Sequence, residues 1–334
     1  MVLVYKCPNC GSNMVFDSEA QQLVCPHCST SKSVEEMEAK QDDSKMEMKS
    51  FHCPTCGAEL VTDMTTTATF CNYCGNSALI EDRIMQDKPA AIIPFSVSKE
   101  KAVEAYLKWC KKGLLTPKSF TSKNTIEKIS GIYVPFWIYD YDAEVSLRAD
   151  CTRVRVERRG DTEYIHTDHF DVYREVKTTY NKVPADASEK MEDGIMDKLE
   201  PFNYESLKQF DMPYLSGFLS EKYTYKSNDM KERVEKRIHS YASAAARNTI
   251  SGYATTAVLY ENISLFQKGS KYVLLPVWIL NYRYLGKNYI FAMNGQTGKV
   301  VGDLPISKQK VAGWFGAVAA ITFIAVRICS SVFF

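Results

Sequence analysis

Apolar and polar residues alternate with period two along two neighbouring stretches, Val145 to Val156 and Tyr164 to Val176, and predict two half-buried strands. Shorter runs of the same kind cover Lys287 to Met293 and, beyond the turn Asn294-Gly295-Gln296-Thr297-Gly298, Lys299-Val300-Val301. Between these groups the period changes to that of a helix. Over about residues 228–250, Met230, Val234, Ile238, Tyr241 and Ala245 fall on one face, with His239 at its edge. An earlier helix is expected at 99–112, capped by Ser98 and stopped at Gly113. Its apolar positions are Ala102, Val103, Tyr106, Leu107 and Cys110, which assigns Cys110 to a buried face. Ile92 to Phe95 is expected to be a strand.

The segment Val134-Pro135-Phe136-Trp137-Ile138-Tyr139-Asp140-Tyr141 recurs at an offset of 141 as Leu275-Pro276-Val277-Trp278-Ile279-Leu280-Asn281-Tyr282. Each copy leads into strand pattern, so residues 89–307 should contain two related halves. The expected fold is α+β, an antiparallel sheet packed on helices with an internal duplication.

The N-terminal region has its own repeat. Four Cys-x-x-Cys pairs, Cys7/Cys10, Cys25/Cys28, Cys53/Cys56 and Cys71/Cys74, occupy the first 74 residues, and the second set repeats the first at an offset of 46. Each such turn puts two thiolates on one side of a tight loop, and two turns on neighbouring hairpins close a tetrahedral Zn²⁺ site. Two structural zinc ions are therefore expected, in ribbons at 1–32 and 51–88 joined by a charged linker at 33–50. The hairpins are expected at Met14-Val15-Phe16 with Gln22-Leu23-Val24, and at Glu59-Leu60-Val61 with Ala68-Thr69-Phe70. Segments this small fold on metal rather than on apolar burial. A disulfide framework is disfavoured because the chain opens directly into the first knuckle without a signal peptide, and a redox dithiol would need only one such pair. His27 and His52 stand beside ligands, but with eight sulfurs present they are not needed as ligands.

Charge bears on what the ribbons do. Residues 1–90 hold seven Lys/Arg against thirteen Asp/Glu, a formal −6, which repels phosphates and favours a protein partner over nucleic acid. The whole chain is balanced at 41 basic and 40 acidic residues. Residues 311–334 carry a single charge, Arg327, and are apolar on every face. They are expected to form a transmembrane helix, with Lys308 and Lys310 holding the preceding chain on the cytoplasmic side. The expected location is the cell membrane, single-pass.

No catalytic set stands out. Cys151 with His166 and His169 lies on strand pattern, without a helix N-terminus or nucleophile elbow to activate a thiol. Asn294-Gly295-Gln296-Thr297-Gly298-Lys299 has the glycines and lysine of a phosphate loop but sits between strands. The motifs Cys7-Pro-Asn-Cys-Gly11, Cys53-Pro-Thr-Cys-Gly57, Val134-Pro-Phe-Trp137, Leu275-Pro-Val-Trp278 and Phe291-Ala-Met-Asn-Gly-Gln-Thr-Gly-Lys299, with the hydrophobic tail, resemble a bacterial family of membrane-anchored proteins with TFIIB-type zinc ribbons. Cys71-Asn-Tyr-Cys74 departs from that pattern by lacking the proline. The resemblance implies a non-enzymatic, membrane-tethered adaptor acting with phage-shock-type and SPFH proteins in envelope stress. The rival expectation is a membrane-tethered nucleic-acid-binding regulator.

Overall fold

The computed structural model describes residues 2–38, 51–52, 59–60, 66–70, 77–80 and 87–333. The main elements are, in chain order, the strands Val15–Asp17 (β1), Gln22–Val24 (β2), Ser31–Lys32 (β3) and Thr66–Phe70 (β4) and the helix Lys99–Lys111 (α1). The long strands Ser130–Arg159 (β5) and Thr162–Asp186 (β6), helix Asp193–Leu199 (α2), strand Leu219–Glu221 (β7) and helix Ser227–Asn248 (α3) follow. Strands Thr255–Tyr284 (β8), Lys287–Asn294 (β9) and Val300–Gly302 (β10) and helix Lys308–Phe333 (α4) complete the set. The protein is mixed α+β. It divides into two compact units, one of Met1–Val134, Lys190–Lys222 and Leu274–Phe334, the other of Pro135–Glu189 and Tyr223–Val273.

In the second unit β5 and β6 pair antiparallel from Phe136↔Asp186 to Arg159↔Thr162, so the two predicted strands are parts of one long hairpin. Its inner face is apolar at every second position: Tyr139, Tyr141, Ala143, Val145, Leu147, Ala149 and Cys151 are all buried. The outer face is a ladder of exposed ion pairs, Arg148 with Asp171 and Lys177 with Glu144. Helix α3 closes the inner face with Met230, Val234, Ile238, Ala242 and Ala246. The expected Tyr241 is instead 46% exposed, because the buried stripe keeps stepping by four residues from Ile238. Burying each large apolar side chain contributes about 1.5–3 kcal/mol, far more than helix propensity, so packing fixes which stripe turns inward.

The duplication is visible as repeated hydrogen bonds. In the second unit Trp137 Nε1 donates to the carbonyl of Tyr225 at 2.9 Å, two residues before α3. In the first unit Trp278 Nε1 donates to the carbonyl of Val97 at 3.0 Å, two residues before α1. The backbone around each copies the other. Thr224 and Tyr225 N–H both donate to Ala187, whose own N–H donates to Pro135, while Ser96 and Val97 N–H donate to Gly295, whose N–H donates to Pro276. Each indole is also boxed by rings, Tyr223 and Tyr272 around Trp137, Phe95 and Phe218 around Trp278. Gly295 is required there, since a Cβ would lie 2.6 Å from the Phe95 ring.

Two expectations are corrected in the first unit. Residues 59–60 pair with 51–52, and β4 pairs with 77–80, so the hairpin expected between 59–61 and 68–70 is replaced by two others. The tail is the larger correction. Among the described residues no helix is long and apolar enough to cross a membrane, which overturns the expected transmembrane helix at 311–334, and with it membrane anchorage and the single-pass cell-membrane location. The uncharged run between Lys310 and Arg327 has sixteen residues. At 1.5 Å per residue it reaches about 24 Å, short of the roughly 30 Å hydrocarbon core. Lys310, expected to flank a span, is tied down by donating from Nζ to the carbonyl of Thr116 at 2.6 Å, beside the bond from Ser307 N–H to Leu115.

Trp278 is 4% exposed whereas Trp137 is half-buried, so removing the two indole N–H groups should have unequal effects. Trp278→Phe should destabilise by about 1–3 kcal/mol because the Val97 carbonyl is left dry, and Trp137→Phe by about 0.5–1.5 kcal/mol because water replaces the donor. Denaturant unfolding of both variants checks this, and the reverse order would count against it.

Candidate metal centre

The first cysteine-rich segment folds as expected from its pattern. β1 pairs with β2 through Val15↔Val24 and Phe16↔Leu23, and β2 pairs with β3. Two knuckles flank this small sheet and use the same hydrogen bonds. Gly11 N–H donates to Cys7 and Cys7 N–H to Ser12, while Ser29 N–H donates to Cys25 and Cys25 N–H to Thr30. Each loop closes through a left-handed residue, Gly11 at φ 72° and Ser29 at φ 56°. The second is a strained choice for a residue with a Cβ.

These loops aim four sulfurs at one point. The Sγ atoms of Cys7, Cys10, Cys25 and Cys28 all lie within 4.8 Å of one another, with Cys7 to Cys28 and Cys10 to Cys25 both at 3.5 Å. A disulfide would need about 2.05 Å, so these are free thiols. Four sulfurs at about 2.3 Å from a tetrahedral centre stand roughly 3.8 Å apart, which the cluster matches. The residues therefore fit a metal ion, held by four protein thiolates.

The surroundings treat the four thiols differently. Thr30 donates from its hydroxyl, 3.1 Å away, and from its backbone N–H to Cys28, holding that thiol down at about 6. Burial pushes Cys25 up to about 11. Burial acts the same way on Cys7, but the backbone N–H groups of Cys10 and Asn9 outweigh it and leave the thiol below its ordinary value. Asn9 Nδ2 also donates to Cys28 at 3.8 Å. Thr30 is a site residue that the cysteine pattern does not reveal, although a hydroxyl two residues past a knuckle cysteine is a usable signal.

The ribbon is seated on the first unit. Phe16 N–H donates to the Ser216 carbonyl at 2.9 Å, Ser216 Oγ donates back to Met14 at 2.7 Å, and Phe16 meets Tyr214 edge-on at 5.1 Å. Gln21 Nε2 donates to the Phe95 carbonyl at 2.7 Å. Tyr5, Met14, Phe16 and Leu23 are buried as a result. His27 is exposed at a knuckle tip, outside the four-sulfur group. Cys53, Cys56, Cys71, Cys74 and the neighbouring His52 side chain lie outside the described residues.

The remaining candidates separate. Cys151 is buried, paired across the hairpin with Phe170, and donates to Thr256, while His166 and His169 stand exposed beside Glu157 and Asp150 at 3.8 Å each. Burial raises Cys110 to about 11, consistent with an inert core thiol. In the Asn294–Lys299 segment Asn294 Oδ1 accepts from Gln296 and Thr297 N–H, and Asn294 Nδ2 donates to Leu199 and Pro201, which makes it a hairpin turn.

YdjG of Bacillus subtilis (strain 168), an uncharacterized protein, is 48% identical over 334 residues, spanning 99% of this chain and 98% of its own. The chain belongs to the YdjG family. No protein-family model matches it, and no solved structure matches it.

Replacing Cys7 or Cys25 by serine should remove one equivalent of bound metal per chain by elemental analysis, with unchanged metal content counting against the cage. In chelated, metal-free protein whose ribbon stays seated through its bonds to Ser216 and Phe95, the Cys28 thiolate should form with a midpoint near pH 6. Thr30→Val removes the hydroxyl donor that favours the charged form, so the midpoint of the alkylation rate against pH should move upward. An unmoved midpoint would show that Thr30 does not set it.

Proposed function

We propose that this YdjG-family chain is a zinc-ribbon scaffold of TFIIB type that binds protein partners and performs no catalysis. The observation that carries the reading is the closed four-cysteine cage. A Zn²⁺ held by four protein thiolates keeps no position for water or substrate, so its contribution is structural. The second set, Cys53, Cys56, Cys71 and Cys74, repeats the spacing and is assigned a second zinc. Cys10, Pro8, Asn9, Pro26 and His27 present exposed knuckle tips, the surface on which a ribbon meets a partner.

The acidic balance of residues 1–90 supports a protein partner, because a formal −6 opposes the counterion release that drives nucleic-acid binding. The partners toward which the family resemblance points are phage-shock-type and SPFH proteins of the envelope-stress response. A membrane helix has no part in this reading.

Pairwise binding of the purified chain to one phage-shock-type and one SPFH protein tests it, with a gel shift on duplex DNA at physiological salt alongside. Saturable binding to at least one of the two proteins, weakened about tenfold or more in Cys7→Ser, is the expected result. Binding to neither, or a salt-sensitive gel shift in the nanomolar to micromolar range, overturns it in favour of a nucleic-acid-binding regulator.

A further inference from the structure

The first unit contains a cavity of about 600 Å³, within the range of small-molecule sites. Its apolar wall is made by Ile132, Ile195, Met196, Leu219, Ile279 and Ile290. β7 pairs with β4 through Ser220↔Ala68 and Glu221↔Thr66, so Thr67 is the extra residue of a bulge in β4, and both strands contribute to the lining of this cavity. Ser220 is 2% exposed, and its hydroxyl has no hydrogen-bond partner among the described residues. Glu221 is only 4% exposed but faces Lys190 at 3.4 Å, so its charge is matched.

A second cavity of about 650 Å³ adjoins the first, sharing Glu192, Ile195, Asn288 and Ile290 as lining. Its character is different, for Lys198, Lys287 and Lys299 line it against only Glu192 and Asp303. Arg283, on the first cavity, is the cross-strand partner of Asn288 and so stands where the two chambers meet. Among the described residues, no ion pair engages Arg283, Lys198 or Lys287. A chamber with an apolar wall thus adjoins a chamber with a surplus of cations.

We propose that the joined chambers bind a single-chain amphiphile, its apolar body against Ile132, Leu219, Ile279 and Ile290 and its anionic head, a phosphate or carboxylate, against Arg283, Lys198 and Lys287. Neither half of the site alone selects this ligand. The apolar wall excludes a free phosphate from most of the volume, and the cations disfavour a neutral alcohol of the same length. The site lies apart from the cysteine cage and owes nothing to metal chemistry.

Calorimetric titration of the full chain with dodecyl phosphate below its micelle concentration tests this, with dodecanol and inorganic phosphate as the other arms. Saturation at one dodecyl phosphate per chain is expected, with dodecanol weaker by about tenfold or more and no saturable binding of inorganic phosphate. Arg283→Glu should weaken dodecyl phosphate by about tenfold or more and leave dodecanol unchanged, whereas Ile195→Trp should abolish binding of both by filling the shared wall. Absence of saturable dodecyl phosphate binding, equal binding of dodecanol, or binding of inorganic phosphate as tight as that of dodecyl phosphate overturns the proposal. Should Ile195→Trp lose its circular-dichroism signal, the exposed Arg283→Glu variant decides the matter alone, since wild-type affinity there is equally fatal.

Discussion

One hydrogen bond, made twice, sets how helix meets sheet in this protein: an indole N–H on a long strand donates to the carbonyl two residues before a helix begins. Trp137 does this for α3 and Trp278 for α1. A helix start leaves backbone groups that need partners, and the approach of the chain into it is otherwise free to swing. The indole removes that freedom. It reaches past the first turn, bonds the carbonyl just outside it, and is itself fixed by the aromatic rings that box it. The double donation to Ala187 and to Gly295 holds the same approach segment from the other side. With entry point and direction fixed, the four-residue stripe of α3 and the face of α1 carrying Ala102, Tyr106 and Cys110 have one way to meet their strands.

The cysteine cage obeys a comparable logic on a smaller scale. A ribbon of this size lacks the apolar volume to fold by itself, and metal ligation ordinarily supplies the missing free energy. Here the first ribbon also gains a neighbour. Met14, Phe16 and Leu23 are buried, and the bonds to Ser216 and Phe95 tie the sheet of β1 and β2 to the body of the unit. Ligation and docking act on the same strands, so metal binding should stabilise the seat and the seat should raise metal affinity, each by the same free energy.

What could be read from the sequence was local. The Cys-x-x-Cys spacing located the first cage, because a knuckle is a property of five consecutive residues. Period two located β5 and β6, and the 141-residue offset located both tryptophans. Failures came where neighbours outside the window decide. Tyr241 and Ala245 lie within one step of the true stripe, and only the hairpin face shows that Ala242 and Ala246 fit it better. Strand β4, Thr66-Thr67-Ala68-Thr69-Phe70, pairs with the nearby 77–80 on one side and on the other with β7, a segment far along the chain that no local pattern points to. The tail misled because composition registers apolarity, while spanning depends on the uninterrupted length between Lys310 and Arg327. The two chambers draw on eight separated segments, a pattern that no sequence period records.

Strand β4 connects the two features that bear on function. Thr66, Ala68 and Thr69 line the apolar chamber, and Cys71, a ligand in the proposed second ribbon, is the residue after the strand ends. Backbone pairing of β4 with β7 holds the two strands side by side along this chamber. An amphiphile in the chamber would favour the arrangement of β4 that builds its wall, and a metal on Cys71 and Cys74 would favour the arrangement that presents those thiolates. If one arrangement satisfies both, ligand and metal raise each other's affinity by an equal factor, as linkage requires. If the two differ, each opposes the other by the same rule. If β4 keeps one arrangement throughout, the two sites are independent, so the coupling factor itself reports whether the strand moves.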